Sequence, residues 1–246
     1  MTESLLGRTA IVTGAAGNGM GRSIALTLAR EGAKVVVNYL TSQDNAKAIV
    51  RHIESQGGAA LACQADVTQQ DQCQTLVDTA IGKFGQADIC IIGPGAGWHA
   101  ESIDKLDSAA ALGDAQRELA PIYHLMPLVL PGMYERKWGR VITIALASPY
   151  GSPAYAYNVA KAARVHASLL ARDSAWQHGV TVNTIGPGPV PALETLDAAI
   201  EHCAHGLAWQ RRTTTSPQDI AEGVAFLCSD SGHFISGAVL PYLFRS

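Results

Sequence analysis

Tyr157 and Lys161 stand four residues apart in a stretch, 156–177, whose pattern is helical, so the two side chains share one helix face. A phenol with its ordinary pKa of about 10 is a poor base near neutrality. An ammonium group beside it stabilises the phenolate and lowers that value. Such a pair can pass a proton to or from an oxygen of a bound molecule. The lysine can also hold the hydroxyls of a ribose. A tyrosine packed in a core or at an interface would show the same spacing, so the pair takes its meaning from its surroundings.

The second chemical feature is the stretch Thr13-Gly14-Ala15-Ala16-Gly17-Asn18-Gly19-Met20-Gly21. It follows the apolar run Thr9-Ala10-Ile11-Val12 and opens a helical pattern from Arg22 to Arg30. Glycines let the backbone turn tightly and approach a ligand, and a helix N-terminus offers unpaired N–H groups and a partial positive charge. A strand, a glycine turn and a helix in that order make a cradle for the phosphates of a dinucleotide. An acid at the end of the second strand would select NAD by binding its ribose hydroxyls. Here that place reads Asn38-Tyr39, with Thr41 and Ser42 just beyond. No carboxylate repels a 2′-phosphate and hydroxyls can donate to one, so NADP(H) is the preferred cofactor and NAD(H) the alternative. Position 18 is Asn, which adds no charge for that phosphate, and Arg22 can equally serve helix packing.

These groups need a sheet to hold them. Apolar runs at 9–12, 33–38, 59–64, 88–92, 141–145, 181–185 and 238–240 read as strands. Unbroken apolar runs suit parallel strands covered on both faces. Helical patterns at 22–30, 45–56, 69–84, 109–134, 156–177 and 217–229 alternate with them. Pro121, Pro127 and Pro131 fall inside the fourth helix and predict a kink or an early break. Residues 191–215 resist assignment and are expected to form a mobile substrate lid. The alternation predicts an α/β fold, a Rossmann-type doubly wound parallel sheet with helices on both faces, in one domain over 1–246.

Bulk properties agree. Hydrophobic residues make up 48% of the 246 and charged residues 16%, a globular composition. A formal net charge of −3 argues against nucleic acid and membrane-surface partners. With no long apolar run and no leader pattern at Met1-Thr2-Glu3-Ser4, the expected location is the cytoplasm. The five cysteines lack CxxC spacing and read as buried free thiols. His202-Cys203-Ala204-His205 has no partner motif, so a solvated helix face is preferred to a metal site, and no metal is expected.

Taken in order, the glycine turn at 13–21, Asp66-Val67, Gly95-Ala96-Gly97, Tyr157-x-x-x-Lys161, Asn183-Thr184-Ile185-Gly186-Pro187-Gly188 and Ser216-Pro217-Gln218-Asp219-Ile220-Ala221 resemble the motifs of the short-chain dehydrogenase/reductase family over nearly the whole chain. The likeness is to its 3-oxoacyl-acyl-carrier-protein-reductase-like members. It implies a nicotinamide cofactor and a homo-oligomer, a tetramer or a dimer. It implies that Tyr157 exchanges a proton with the substrate oxygen while hydride moves to or from the nicotinamide. The cofactor-binding residues it implies are Gly14, Asn18, Gly19 and Met20 in the turn, Asn38, Tyr39 and Thr41 after the second strand, Gly95, Ala96 and Gly97, and Tyr157 with Lys161. Asp66 would bond the adenine beside Val67, while also suiting a helix cap. Pro187, Gly188 and Val190 would pack on the nicotinamide.

The chain departs from the family pattern at several places. Four residues separate Gly14 from Gly19, one more than usual. The family's Asn-Asn-Ala-Gly reads Pro94-Gly95-Ala96-Gly97, which removes a side-chain strut between strands and predicts a looser cofactor floor. The place of the family serine falls on Ile144, or on Leu146 if the segment is shortened. The nearest hydroxyl is Ser148, nine residues before Tyr157. The family's helix asparagine maps near Glu118, which can carry a water chain or act as an acid or base. Trp98, Tyr150, Tyr155, Leu193, Leu196 and Trp209 are expected to build an apolar, aromatic pocket, with His99 as a group that titrates near neutrality. The C-terminus, Leu240 to Ser246, lacks the family's Asp-Gly-Gly ending and could cover a neighbouring subunit.

The leading expectation is an oxidoreductase that interconverts a ketone and a secondary alcohol on a small apolar substrate. Tyr157 is its acid/base, Lys161 its tuner, Ser148 its carbonyl partner and Glu118 a further candidate. The alternatives are a non-redox lyase, isomerase or cyclase on the same scaffold, or a catalytically silent cofactor-binding subunit.

Overall fold

Seven parallel strands form one sheet in the order β3-β2-β1-β4-β5-β6-β7. The computed structural model describes residues 4–146, 153–193, 195–207, 212 and 214–242. The strands are β1 (Thr9–Val12), β2 (Lys34–Tyr39), β3 (Ala60–Gln64), β4 (Ile89–Ile92), β5 (Gly139–Ile144), β6 (Val180–Pro187) and β7 (Val239–Tyr242). The helices are α1 (Met20–Arg30), α2 (Gln43–Ser55), α3 (Gln70–Phe84), α4 (Ser108–Arg136), α5 (Tyr155–Trp176), α6 (Leu196–His205) and α7 (Pro217–Cys228). From β1 the chain winds outward through β2 to β3, then returns to place β4 on the other side of β1. The crevice beyond the carboxyl ends of β1 and β4 is therefore the switch point at which such sheets bind ligands.

The sheet separates two cores. One packs Ile24 and Leu28 of α1, Ile49 of α2, and Ile220 and Val224 of α7 on Val12, Val35, Val37 and Ile91. The other packs Leu76 and Val77 of α3 and Leu125, Val129 and Met133 of α4 on Ile11, Val36, Ile92 and Val141. Strand residues alternate between these cores, so β1, β2, β4, β5 and β6 are almost wholly buried, as the unbroken apolar runs require, while the edge strands β3 and β7 are partly exposed.

Four sequence expectations change. The fourth helix is neither broken nor shortened by its prolines: α4 runs 29 residues with Pro121, Pro127 and Pro131 inside it. Its buried stripe of Ile122, Leu125, Met126, Val129 and Met133 is long enough to outweigh the lost helix bonds. Much of the expected lid is the helix α6, fastened by Cys203, which is 7% exposed and sits 3.7 Å from the Thr27 hydroxyl. The same burial overturns the solvated-face reading of 202–205 at its cysteine. The last strand begins one residue later than expected and extends to Tyr242.

Candidate active site

The glycine turn forms the wall between two cavities at the switch point. One, of about 470 Å³, is lined by Gly14, Asn38, Leu40, Asp66, Val67, Gly95 and Arg117, among others. The other, of about 650 Å³, is lined by Met20, Trp98, Ile144, Leu146, Tyr157, Lys161 and Pro187 to Val190, among others. Gly14 has φ +62°, and a Cβ there would stand 2.8 Å from Pro94 Cγ. Gly21 lies under the turn, where a Cβ would stand 2.5 Å from Gly14 O. Both positions therefore demand glycine. No side chain caps α1, whose N-cap is Gly19, and a Cβ at Gly19 would meet nothing within 4 Å. Uncapped helix N–H groups facing open space fit the phosphates of a dinucleotide, and the two cavities fit its two ends.

At the first cavity several side chains have structural duties. Asn38 is 2% exposed; its Oδ1 accepts Gly14 N–H at 3.1 Å and its Nδ2 donates to Ala65 O at 3.0 Å. Its amide shapes the glycine turn. Tyr39 is buried and Thr41 exposed, and neither lines either of these two cavities. Leu40, 54% exposed, occupies that rim. Asp66 Oδ1 accepts from Thr68 N–H at 2.9 Å and its hydroxyl at 2.7 Å, forming a turn ahead of α3, whose N-cap is Gln69. Asn18 Oδ1 accepts from Arg22 Nη2 at 2.6 Å, and Asn18 O accepts Leu193 N–H at 2.7 Å, tying the start of the lid region to the glycine turn. Arg22 is thus a buried packing residue, and burial lowers its pKa.

The floor between the cavities is not loose, although the asparagine strut is absent. The Thr13 hydroxyl donates to Ile91 O at 2.8 Å and accepts Gly93 N–H at 2.9 Å, joining the ends of β1 and β4. Arg164, fully buried on α5, donates from Nη2 to Ile92 O and from Nη1 to Pro94 O, both at 2.6 Å. The same Nη1 reaches Glu118 Oε2 at 2.8 Å. Glu118, fully buried on α4, accepts Ala96 N–H on Oε1 at 2.7 Å and pairs there with Lys161 Nζ at 2.9 Å. Glu118 thus holds together the loop after β4 and two residues of α5. No sequence motif singles out Arg164. Its signal is the spacing Tyr157, Lys161, Arg164, which keeps all three near one helix face.

Tyr157 is partly buried, and Lys161 Nζ lies 5.5 Å from its ring centre. Its pKa is raised, first by burial and then by the Glu118 carboxylate, while Arg164 opposes the shift. The expected lowering by Lys161 is therefore not what this arrangement produces. Lys161 is itself lowered, by burial first and Arg164 second, against the pull of Glu118.

Of the remaining expected residues, Ala96 and Gly97 lie in the loop after β4 without lining either cavity. Ser148, Tyr150 and Trp209 fall outside the described residues. Trp98 lines the second cavity, but Tyr155 lines a separate groove with Glu101 and Ile103. Leu193 and Leu196 pack on the core beside α1. His99 turns away, with Nε2 at 3.4 Å from Asp114 and 3.8 Å from Glu101. Among the described residues no helix is long and apolar enough to cross a membrane.

The sheet order and the glycine turn, with the Tyr157–Lys161 pair beside it, define an α/β protein of the Rossmann type. The family model described as enoyl-(acyl carrier protein) reductase matches residues 14–242. Over 243 residues the chain is 33% identical to a 7alpha-hydroxysteroid dehydrogenase of Escherichia coli, covering 95% of this chain and 92% of that one. It is 30% identical over 240 residues to a 3-oxoacyl-[acyl-carrier-protein] reductase of Staphylococcus epidermidis, covering 96% and 97%. A solved 7 alpha-hydroxysteroid dehydrogenase complexed with NADH and 7-oxo glycochenodeoxycholic acid superposes with a TM-score of 0.84, at 30% identity, over 98% of this chain and 94% of that one. The chain belongs to the short-chain dehydrogenase/reductase family, a family of oxidoreductases.

Proposed function

We propose that the protein interconverts a ketone and a secondary alcohol with a nicotinamide dinucleotide, NADP(H) in preference to NAD(H). The observation that carries this reading is the placing of Tyr157 and Lys161 on the wall of one cavity with Met20 and Pro187 to Val190, across the glycine turn from a second cavity. When bound, the nicotinamide donates or accepts the hydride. Gly14, Gly19 and the first turn of α1 hold the phosphates, and Asp66 and Val67 border the adenosine end. Tyr157 gives its proton to the carbonyl oxygen during reduction and takes it back during oxidation. Lys161 supplies positive charge beside the phenol and holds ribose hydroxyls, and Ser148 bonds the carbonyl. Glu118 fixes the Lys161 ammonium from below. Support for NADP(H) is the absence of a carboxylate at Asn38, Tyr39, Leu40 and Thr41.

The apolar lining of Trp98, Ile144, Leu146 and Val190 favours a bulky apolar substrate. The names of the relatives, a hydroxysteroid dehydrogenase and an oxoacyl reductase, agree with that class. We place the protein in the cytoplasm as a homo-oligomer, for which exposed Leu112, Tyr123, Val159 and Leu170 on α4 and α5 supply apolar surface.

Tyr157→Phe is expected to abolish turnover of a ketone panel with NADPH while leaving the fluorescence titration with NADPH intact. Retained turnover would remove Tyr157 from the chemistry. A second reading, proton transfer without hydride, draws on Ile144 and Leu146, which put apolar groups where the family places a serine. Failure to bind either NADPH or NADH would select it.

A further inference from the structure

The mechanism just proposed uses Tyr157 and Lys161 and leaves a buried arginine unaccounted for. Arg164 has no exposed surface, and Glu118 has none either. Burying a carboxylate beside a phenol that must ionise is a poor arrangement by itself, because the negative charge opposes phenolate formation. Burying a guanidinium without a counter-charge is also costly. The structure combines the two. Arg164 Nη1 meets Oε2 of Glu118 at 2.8 Å, while Lys161 Nζ meets Oε1 at 2.9 Å. The carboxylate is thus bracketed by two cations from one helix.

Among the described residues, the other surroundings of Tyr157 carry no charge that could do this work. The lining around it includes Met20 from the first turn of α1, Trp98 from the loop after β4, Ile144, Ala145 and Leu146 from the end of β5, Asn158 from its own helix, and Pro187 to Val190 from the end of β6. The charged groups facing it are Glu118 from α4 and Lys161 and Arg164 from its own helix. Asp114, one turn before Glu118, is occupied by Arg117 and His99 on its far side.

We propose that Arg164 is a positioning residue for the proton-transfer pair. It offsets the charge of Glu118 from the side opposite Lys161, and so lets a carboxylate anchor Lys161 while weakening its opposition to ionisation of Tyr157. Its carbonyl bonds to Ile92 and Pro94 fix the guanidinium at the sheet end, so the compensating charge cannot drift. The inference rests on the role given to Tyr157 above, but its test does not require turnover.

The test is a rapid pH-jump titration of phenolate absorbance, with Tyr157→Phe as the blank that subtracts the other tyrosines. Arg164→Met strands the carboxylate and is expected to lower the proton dissociation constant of Tyr157 about tenfold, the effect of one charge nearby. Glu118→Gln is expected to raise it, since two cations then face the phenol unopposed. The double variant is expected to fall between the two, near the wild type. Arg164→Lys keeps the charge and should change the constant less than Arg164→Met does. If Arg164→Met does not fold, Glu118→Gln against the double variant reads the same charge with no stranded carboxylate. An unchanged constant on loss of Arg164 in either background overturns the proposal. Normal titrations in a protein without hydride transfer would leave this inference standing and overturn the redox reading alone.

Discussion

A Cβ added at Gly95 would run into the carboxylate of Glu118, so the glycine in the loop after β4 and the glutamate in α4 are one device. Gly95→Ala should push the carboxylate off Ala96 N–H and Lys161. Breaking such a buried, paired charge costs about 3 kcal/mol. A lowered urea midpoint would show the loss, and Gly95→Ala with Glu118→Asp should recover part of it because the shorter side chain clears the methyl group and keeps the charge that pairs with Lys161 and Arg164. No recovery would mean that the methyl group clashes with something else. The Tyr157 phenol also sets the pH response. Its pKa is raised by burial and by Glu118, so the protonated acid persists to higher pH than in a free tyrosine. Ketone reduction should hold its rate from neutral pH into the alkaline range and then fall. Alcohol oxidation, which needs the phenolate, should climb over that same range. Rate profiles measured in both directions check the sign, and an oxidation rate that is flat above neutrality would contradict it.

At the scale of elements, α4 shows how packing overrides local preference. Pro127 is exposed and inside the helix. It withholds one backbone donor and crowds the preceding turn, at about 3 kcal/mol against alanine. It also stiffens the unfolded chain, which returns about 1 kcal/mol. Pro127→Ala should therefore stabilise the protein by about 1–2 kcal/mol, seen as a higher urea midpoint with an unchanged slope. A lower midpoint would show that the proline ring packs better than its exposure suggests. The prolines misled the reading of the sequence because propensity is local, whereas the stripe from Ile122 to Met133 is stabilised by α3, α5 and the sheet. The lid was misread for the opposite reason: α6 has little sequence signal, and its place is fixed by Cys203 against Thr27, far away in the chain. The strands and the glycine turn were legible because each depends on neighbours in sequence. The Glu118–Arg164 pair joins residues 46 apart in the chain, and no local pattern reports such a contact.

Across the whole molecule, all five cysteines are free and buried, so the thiols monitor the integrity of both cores. Cys90 lies in β4 and Cys228 at the end of α7, on opposite faces of the sheet. Burial pushes the thiol of each up to about 12. An unfolded cysteine titrates at about 8.5. The folded value is the higher one, so the stabilising contribution is complete below about 8.5 and is lost as pH rises towards 12. Over that window each of these two thiols weakens the fold by about 1.4 kcal/mol per pH unit. Thermal midpoints should accordingly drop steeply above pH of about 9. Cys228→Ala should show a shallower fall, because it has one fewer buried thiol to ionise. A thiol reagent at neutral pH should leave Cys90 and Cys228 unmodified in the native protein and label all five cysteines after unfolding. Rapid native labelling of either would mean that its side of the sheet opens to solvent, and the two-core packing would then have to be given up for that face.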